Sequence, residues 1–564
     1  MQPALPSSDP CCQNPFQIDL RSLGCFRIAI ALVLIYDVLF QVADLSALYL
    51  AGGALPVETV SEYHQGNWSW SLHMLWDATA WQWLLWTLRL LAGLALLAGF
   101  RSQLAAGIAW LLTVSMHTRA PMLVTGGDVL LAMMLFWSIM LPIGSRFSLD
   151  ARRRGARPGG ESVLSVASVG VMLQLVIMYW HTAISKLNSA WLGGDALEMI
   201  LADGALTRPV GELMLSMPGL LMLATWGTLA WECAGPLLLL SPWKTRWLRP
   251  IGLAGFVALH IGIELTMEVL IFSFCSLAAL LVFLPAAAWS KLDQGEQKAD
   301  SSAVRRGRGK GRAQLITSAI GLYCISLLLV YNVLMLTVRG PAPGWTRIVA
   351  KLVNVAHWNQ RWDMFNVPQG LAYRFVLRGR LANGTTMDLG REIPLTTDSP
   401  LDRPVNPVWI DSSRLMLLHR EMVSLENSIF RQQVAEWLVK QWNDEHAESD
   451  RVLELDWIVF VGLMTEDVPP PQELAYVDTR ASGGYKFGRR HGHWVLRYDN
   501  GKKSAEGNYL QDREEGSWKT WDAQGTLTSQ GRFRKGQQHG AWNYFFADGR
   551  SVQIIYEHGR KVQK

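Results

Sequence analysis

Between residues 22 and 338 this chain consists almost wholly of apolar runs of membrane length, broken by short polar loops. Lipid offers no hydrogen-bond partner to an open backbone, so such runs must cross as helices or close as a barrel. Strands cross in about ten residues and helices in about 17 to 25. The runs have the helical length. Nine segments qualify: roughly 22–43, 81–100, 102–118, 122–143, 163–184, 217–240, 250–267, 269–288 and 314–338. The seventh and eighth form one long run, and Glu264 with Glu268 mark the turn that splits it. A water-soluble enzyme is excluded for the first 340 residues. With half of its residues hydrophobic and 18% charged, the chain is too apolar to be disordered or fibrous.

The net charge of +5 invites a nucleic-acid reading until the cations are located. Arg101, then Arg146, Arg152, Arg153, Arg154 and Arg157, then Lys244, Arg246 and Arg249, then the stretch 291–312 occupy every second loop. The first long loop, 44–80, has neither Lys nor Arg but carries Asp44, Glu58, Glu62 and Asp77. Basic loops stay on the cytoplasmic side, so the tail 1–21 is expected in the cytoplasm and everything past 340 outside. The basicity reports topology, and no nucleic-acid partner is expected. Residues 1–21 lack the basic n-region of a cleaved leader, so the first run is read as a retained span. Six cysteines, none beyond Cys324, show no ligand spacing, and neither a metal site nor a disulfide framework is expected.

Past the last run, the text turns amphiphilic. Residues 340–480 read as an α+β module: alternation from Tyr373, a turn at Ala382-Asn-Gly-Thr, helical spacing over 413–443, the strand Trp457-Ile-Val-Phe-Val-Gly-Leu, and a stiff break at Val468-Pro-Pro-Pro-Gln. Residues 484–564 repeat. Gly492-His-Trp494, Gly516-Ser-Trp518 and Gly540-Ala-Trp542 recur every 24 residues, each followed by a turn containing Gly: Asp499-Asn-Gly501, Asp522-Ala-Gln-Gly525 and Asp548-Gly549. A single hairpin cannot bury its own face, so neighbours must stack on it. This pattern resembles MORN-like hairpin repeats. Residues 484–560 are therefore a candidate surface for a protein, peptidoglycan or lipid partner, while each aromatic taken singly is better read as core.

Ionisable residues inside spans are costly and mark candidate sites. The topology gathers His117, Asp128, His181, Lys186, His260 and Glu264 in the outer half of the bundle. Arg27, Arg89 and Glu232 are set apart as snorkelling or structural ion pairs. His260 and Glu264 share a helix face at i, i+4 spacing. Lys186 ends an apolar helix in Met178-Tyr-Trp-His-Thr-Ala-Ile-Ser-Lys-Leu-Asn-Ser-Ala-Trp191, where Trp191 can pack beside the ammonium. A desolvated lysine there can act as a general base. A bland alternative, an interfacial anchor, is favoured on spacing alone.

Five segments in order carry a resemblance that shifts this balance: Phe26-Arg-Ile-Ala-Ile-Ala with Gly52-Gly-Ala-Leu-Pro56; Gly126-Gly-Asp-Val-Leu-Leu through Phe147-Ser-Leu-Asp150; Ile184-Ser-Lys-Leu-Asn-Ser-Ala-Trp191; His260 to Phe274; and Gln360-Arg-Trp-Asp-Met-Phe365. Over 22–366 the chain resembles the HTTM family, whose transmembrane domain is shared with vitamin K-dependent gamma-carboxylase. The resemblance implies a cytoplasmic N-terminus and a luminal or periplasmic C-terminus. It also implies a site for vitamin K hydroquinone or another reduced quinone, with Lys186 as the base that deprotonates it and His260 on a histidine of the same motif. In the carboxylase, oxygenation of the quinol yields a strong base that removes a glutamyl γ-proton so that CO2 can add. The match departs at Thr125-Gly-Gly-Asp128, where the carboxylase carries an Asn-His pair, and the hairpin repeats do not resemble its propeptide-binding region. The implied activity is that of a quinol-dependent carboxylase or epoxidase using a lysine base; the missing histidine counts against glutamate carboxylation, and a propeptide-bearing substrate is not supported.

The expectation is a polytopic α-helical membrane protein with nine spans over 22–339, an extracytoplasmic α+β module over 340–480 and a β-hairpin repeat tail over 484–564. Its expected home is a bacterial inner membrane. Lys186 and His260 are the expected catalytic pair, with His117, Asp128, His181, Trp191 and Glu264 around the cofactor. The competing expectation is a non-catalytic scaffold that binds an envelope partner through its tail. A transporter finds no support in inverted repeats or paired broken helices.

Overall fold

The computed structural model describes residues 14–65, 67–155, 162–202, 207–289, 312–337, 344–355, 357, 358, 360, 362, 371–390, 392–395, 413–422, 428–463, 471–478, 481–486, 489–498, 500–546, 549–557 and 559–562. Most of the basic stretch 291–312, the prolines at 469 and 470, Asp499, Asp548 and most of 360–365 lie outside the described residues. In chain order the helices are α1 (Leu20–Gln41), α2 (Leu45–Leu48), α3 (Val57–Tyr63), α4 (Thr79–Ala98), α5 (Ser102–Arg119), α6 (Gly126–Met140), α7 (Leu149–Arg154), α8 (Val166–Ser185), α9 (Ser189–Gly193), α10 (Ala196–Ala202), α11 (Pro209–Leu215), α12 (Pro218–Leu240), α13 (Thr245–Thr266), α14 (Phe272–Leu280), α15 (Arg312–Thr337), α16 (Gly344–Val355), α17 (Ser413–Glu421) and α18 (Arg431–Glu445). Two compact units result, Met1–Ala43 with His64–Gln369 and Asp44–Tyr63 with Gly370–Lys564.

In the first unit each of the nine expected segments is occupied by a helix. Among the described residues, six helices are long and apolar enough to cross a bilayer: Leu20–Gln41, Thr79–Ala98, Val166–Ser185, Pro218–Leu240, Trp247–Thr266 and Ile316–Leu334. Shorter apolar helices occupy Gly126–Met140 and Phe272–Phe283. The polarity is inverted relative to a soluble fold. Leu91 is 54% exposed and Leu223 63%, while Arg89 two residues from Leu91 is 1% exposed. That inversion suits a lipid surround.

Local sequence sets the helix ends. Asp19 caps α1 by accepting from the Arg21 amide at 2.8 Å. Thr125 with Asp128 and Ser165 with Ser168 form capping boxes at α6 and α8. Inside the bundle, Arg27 donates to the Leu96 and Leu97 carbonyls at the end of α4, at 2.6 and 2.8 Å. Arg89 joins Asp37 at 2.6 Å and Thr113 at 3.1 Å, tying α4 to α1 and α5. Both arginines are structural, each holding the end or face of a helix in place.

The second unit is built on an antiparallel sheet. Its strands are β3 (Leu371–Leu381), β4 (Thr386–Asp388), β5 (Ile393–Pro394), β6 (Val452–Leu463), β7 (Pro471–Asp478), β8 (Ala481–Lys486), β9 (Arg489–Arg497), β10 (Lys503–Leu510), β11 (Arg513–Trp521), β12 (Leu527–Arg534), β13 (Gln537–Phe545), β14 (Ser551–Glu557) and β15 (Arg560–Lys561). A two-residue ladder, β1 (Ile18–Asp19) with β2 (Ser162–Val163), belongs to the first unit. From β6 to β15 the sheet is a meander, with β3-β4-β5 added beside β6. It runs without interruption across residue 480, since Val477 pairs with Ser482 and Ser482 with Val495. Trp494, Tyr509, Trp518 and Trp542 form its aromatic core.

Candidate functional site

Lys186 sits where α8 stops, with its amide bonded to the Thr182 and Ala183 carbonyls. Two residues on, Asn188 caps α9 through the Trp191 amide at 3.3 Å, so the chain doubles back at once. That reversal lays the Trp191 ring 4.7 Å from the Lys186 ammonium, near enough for a cation–π contact. Trp191 packs on Ala196 and on Leu229 of α12. One turn along α12 from Leu229, Glu232 receives the ammonium at 2.6 Å. Both members are buried, with side chains 6% and 7% exposed. An interfacial anchor reaches toward headgroups and water, and Lys186 does neither.

Further side chains approach from α8, α13 and α14. Tyr179, two turns before Lys186 on α8, meets His260 through its hydroxyl at 2.9 Å from Nε2. Its ring stacks on Phe256 with centroids 4.0 Å apart, and Phe272 closes edge-on against His260. His260 lies within electrostatic reach of Lys186, and Tyr179 within that of Glu232. Helices α12 and α13 approach closely because Gly235 and Gly255 carry no side chain. A Cβ on Gly255 would sit 1.9 Å from the Trp231 ring. Pro236 has no N–H to offer the Glu232 carbonyl four residues back, which loosens α12 at the level of the carboxylate.

Three buried polar atoms here have no hydrogen-bond partner among the described residues: Oε2 of Glu232, Nδ1 of His260 and Nε1 of Trp231. Groups left open in so dry a place are rare in folded proteins and suit a ligand that supplies the missing partner. Lys186, Glu232, Tyr179 and His260 thus form a buried polar group among the rings of Trp191, Phe256 and Phe272.

Other expected members are placed elsewhere. Glu264 does not serve His260: its Oε1 is 2.7 Å from Arg208, which also donates to the Glu264 carbonyl. The i, i+4 spacing puts both on one face of α13, but a cation from the loop before α11 claims the carboxylate. Asp128 closes its own helix cap, accepting from the Thr125 amide at 2.8 Å and hydroxyl at 2.7 Å. His181 bonds Asn332 of α15 at 2.8 Å. His117 lies in the last turn of α5, where its charge acts on His357. Outside the spans, burial pushes His357 down to about 3, with His117 and His64 adding to it. Glu232, set apart by its depth in the sequence, is instead the direct partner of Lys186. The signal that marks it is charge balance: it is the one acid of an apolar 23-residue helix that holds no base.

No curated protein and no solved structure matches the chain. The HTTM domain family model matches residues 16–289, a span that holds Lys186, Glu232 and His260 and stops short of α15 and Gln360. Residues 16–289 thus match the HTTM domain, and the described residues include six helices long and apolar enough to cross a membrane.

Proposed function

We propose that the HTTM domain binds a reduced quinone beside Lys186 and removes a proton from one of its hydroxyls. The observation that carries this is the buried Lys186–Glu232 pair, with an open carboxylate oxygen, under Trp191. Lys186 orients the hydroxyl and holds the charge that develops; His260 and Tyr179 supply a second polar contact; the aromatic walls keep water out. A bound quinol would supply the electrons and the ring double bond, and molecular oxygen would be the oxidant, one oxygen atom entering the epoxide and the other leaving as water. Thr125-Gly-Gly-Asp128 provides no histidine, and Asp128 is engaged in its helix cap, so the reading is an epoxidase-like activity without glutamate carboxylation. Removing one half of an acid–base pair that moves a proton typically costs about 10²- to 10⁴-fold. Lys186→Ala and Lys186→Arg should lower quinone-epoxide formation in isolated membranes by that factor. Unchanged turnover in the variants, or none in the parent protein, removes the proposal.

The proposal includes nine spans, a cytoplasmic N-terminus and a periplasmic tail in a bacterial inner membrane, supported by the alternation of basic loops. A second reading gives the tail an envelope partner. It is favoured by the last hairpin, where Phe546, Val552 and Ile555 stay exposed while the repeat tryptophans are buried.

A further inference from the structure

The base at this site is a pair of residues rather than a lysine, and the two halves have different tasks. We infer that Glu232 is the proton acceptor: the hydroxyl proton of the bound ligand ends on Oε2 of Glu232, and Lys186 stays an ammonium facing the oxygen that lost it. This rests on the reading of the site as one for a reduced quinone or similar acidic hydroxyl.

The argument is a count of charge in a dry place. Nζ of Lys186 lies 2.6 Å from Oε1 of Glu232, and both groups are about 5% exposed. Ammonium and carboxylate together are neutral. For Lys186 to act as a free amine beside an ionised Glu232, the site would first have to lose a proton and hold an uncompensated buried carboxylate, an arrangement that desolvation opposes strongly. Transfer to the carboxylate avoids this. The ligand O–H bond breaks, an H–Oε2 bond forms, and the electron pair stays on the ligand oxygen. The charge is zero before and zero after, because the new anion lies against the ammonium. The geometry supplies the acceptor: Oε1 is occupied by Nζ, while Oε2 is buried with no partner among the described residues. Trp191 over the ammonium holds Lys186 in place without competing for a proton, having no acceptor to offer.

The test uses the full-length protein in nanodiscs with 2-methyl-1,4-naphthohydroquinone as probe, under argon so that no turnover occurs. Binding is read from quenching of tryptophan fluorescence, ionisation from the red shift of probe absorbance, and the acceptor from infrared difference spectra with isotope-labelled glutamate. The expected result is a new carboxylic-acid carbonyl band, sensitive to the label, together with ionised probe. In Glu232→Gln the band should vanish and the ionised fraction fall about tenfold or more, the equivalent of one pK unit, while the probe still binds. Glu232→Asp, which keeps an acid and guards against a folding defect, should retain a weaker band. Lys186→Met should also lose the ionised probe, for want of the ammonium. Ionised probe and band persisting in Glu232→Gln would overturn the assignment and leave the quinol site standing. Failure of the parent protein to bind the probe would overturn both.

Discussion

At Lys186 and Glu232 the two charges are worth little to stability as a pair and much as partners. Breaking a buried ion pair strands one charge in a dry interior and costs about 3–5 kcal/mol, whereas replacing both members with apolar groups is often neutral. Lys186→Met and Glu232→Leu should therefore each lower the thermal midpoint in detergent, and the double variant should recover most of the loss; additive losses would show that the two groups are not coupled. His73 offers a second measurement outside the spans. It is 1% exposed, bonded to Ser115 at 2.8 Å, and burial, helped by Arg89 and Arg119, pushes it down to about 3. The unfolded chain takes up this proton near 6.5 and the folded one only near 3. Stability is thus complete above 6.5 and declines as pH falls toward 3, by up to about 1.4 kcal/mol per pH unit. Unfolding of His73→Gln between pH 7 and 4 should show a shallower decline than the parent. At this scale the sequence was legible only locally. Trp191 beside Lys186 follows from four intervening positions and one Asn cap, and the Thr125-x-x-Asp128 box is itself a sequence signature that depth-based reasoning passed over. Glu232 was hidden because it lies fourteen residues into α12, about 21 Å at the usual rise, and sequence depth cannot tell that α12 starts well beyond the end of α8.

Among the elements, the tail shows how a period becomes a core. Gly483, Gly507 and Gly531 recur with the same 24-residue step as the tryptophans, and a Cβ on any of them would come within 2.1–2.2 Å of the Trp494, Trp518 or Trp542 ring respectively. Each indole lies flat on a bare glycine backbone of the neighbouring strand and donates to a carbonyl: Gly484, Asn508 and Arg532, at 3.0–3.1 Å. Gly507→Val should push Trp518 out of its seat, and Trp518→Ala should cost about 3–5 kcal/mol; denaturation followed by tryptophan fluorescence should report both, and a loss below about 1 kcal/mol would show that the stack is not the core. The period, the Trp positions and the turns were readable because each hairpin is local. What joins them was not: β3 pairs with β6 across residues 373 to 461, a partnership that alternation alone cannot choose. The helices of the first unit were readable for the opposite reason, since lipid enforces a length and leaves little else to decide. Six met that length in full.

For the whole molecule, topology turns on one short helix. Helices α5 and α6 are neighbours in sequence, so whether both cross or neither does, the sides of later loops are unchanged. Helix α14 stands alone. With its following turn it covers Phe272–Phe283, about 18 Å at 1.5 Å per residue, which is short for a bilayer. Yet Phe272, Cys275, Ala278, Ala279 and Leu280 are buried, and α14 packs on α1, α6 and α13. A helix enclosed by protein need not match the lipid, because its neighbours rather than hydrocarbon surround its ends. If α14 does not cross, the basic stretch 291–312 falls on the same side as loop 44–80, which carries no Lys or Arg, against the positive-inside rule. The two cases give different labelling patterns. In a variant with its native cysteines replaced by serine, cysteines are placed singly at Ser7, Asp300 and Asn500. With nine spans, positions 7 and 300 lie inside, and only position 500 reacts with an impermeant maleimide on spheroplasts. With six, position 300 alone reacts. The first pattern puts the hairpin sheet in the periplasm; the second would put it in the cytoplasm.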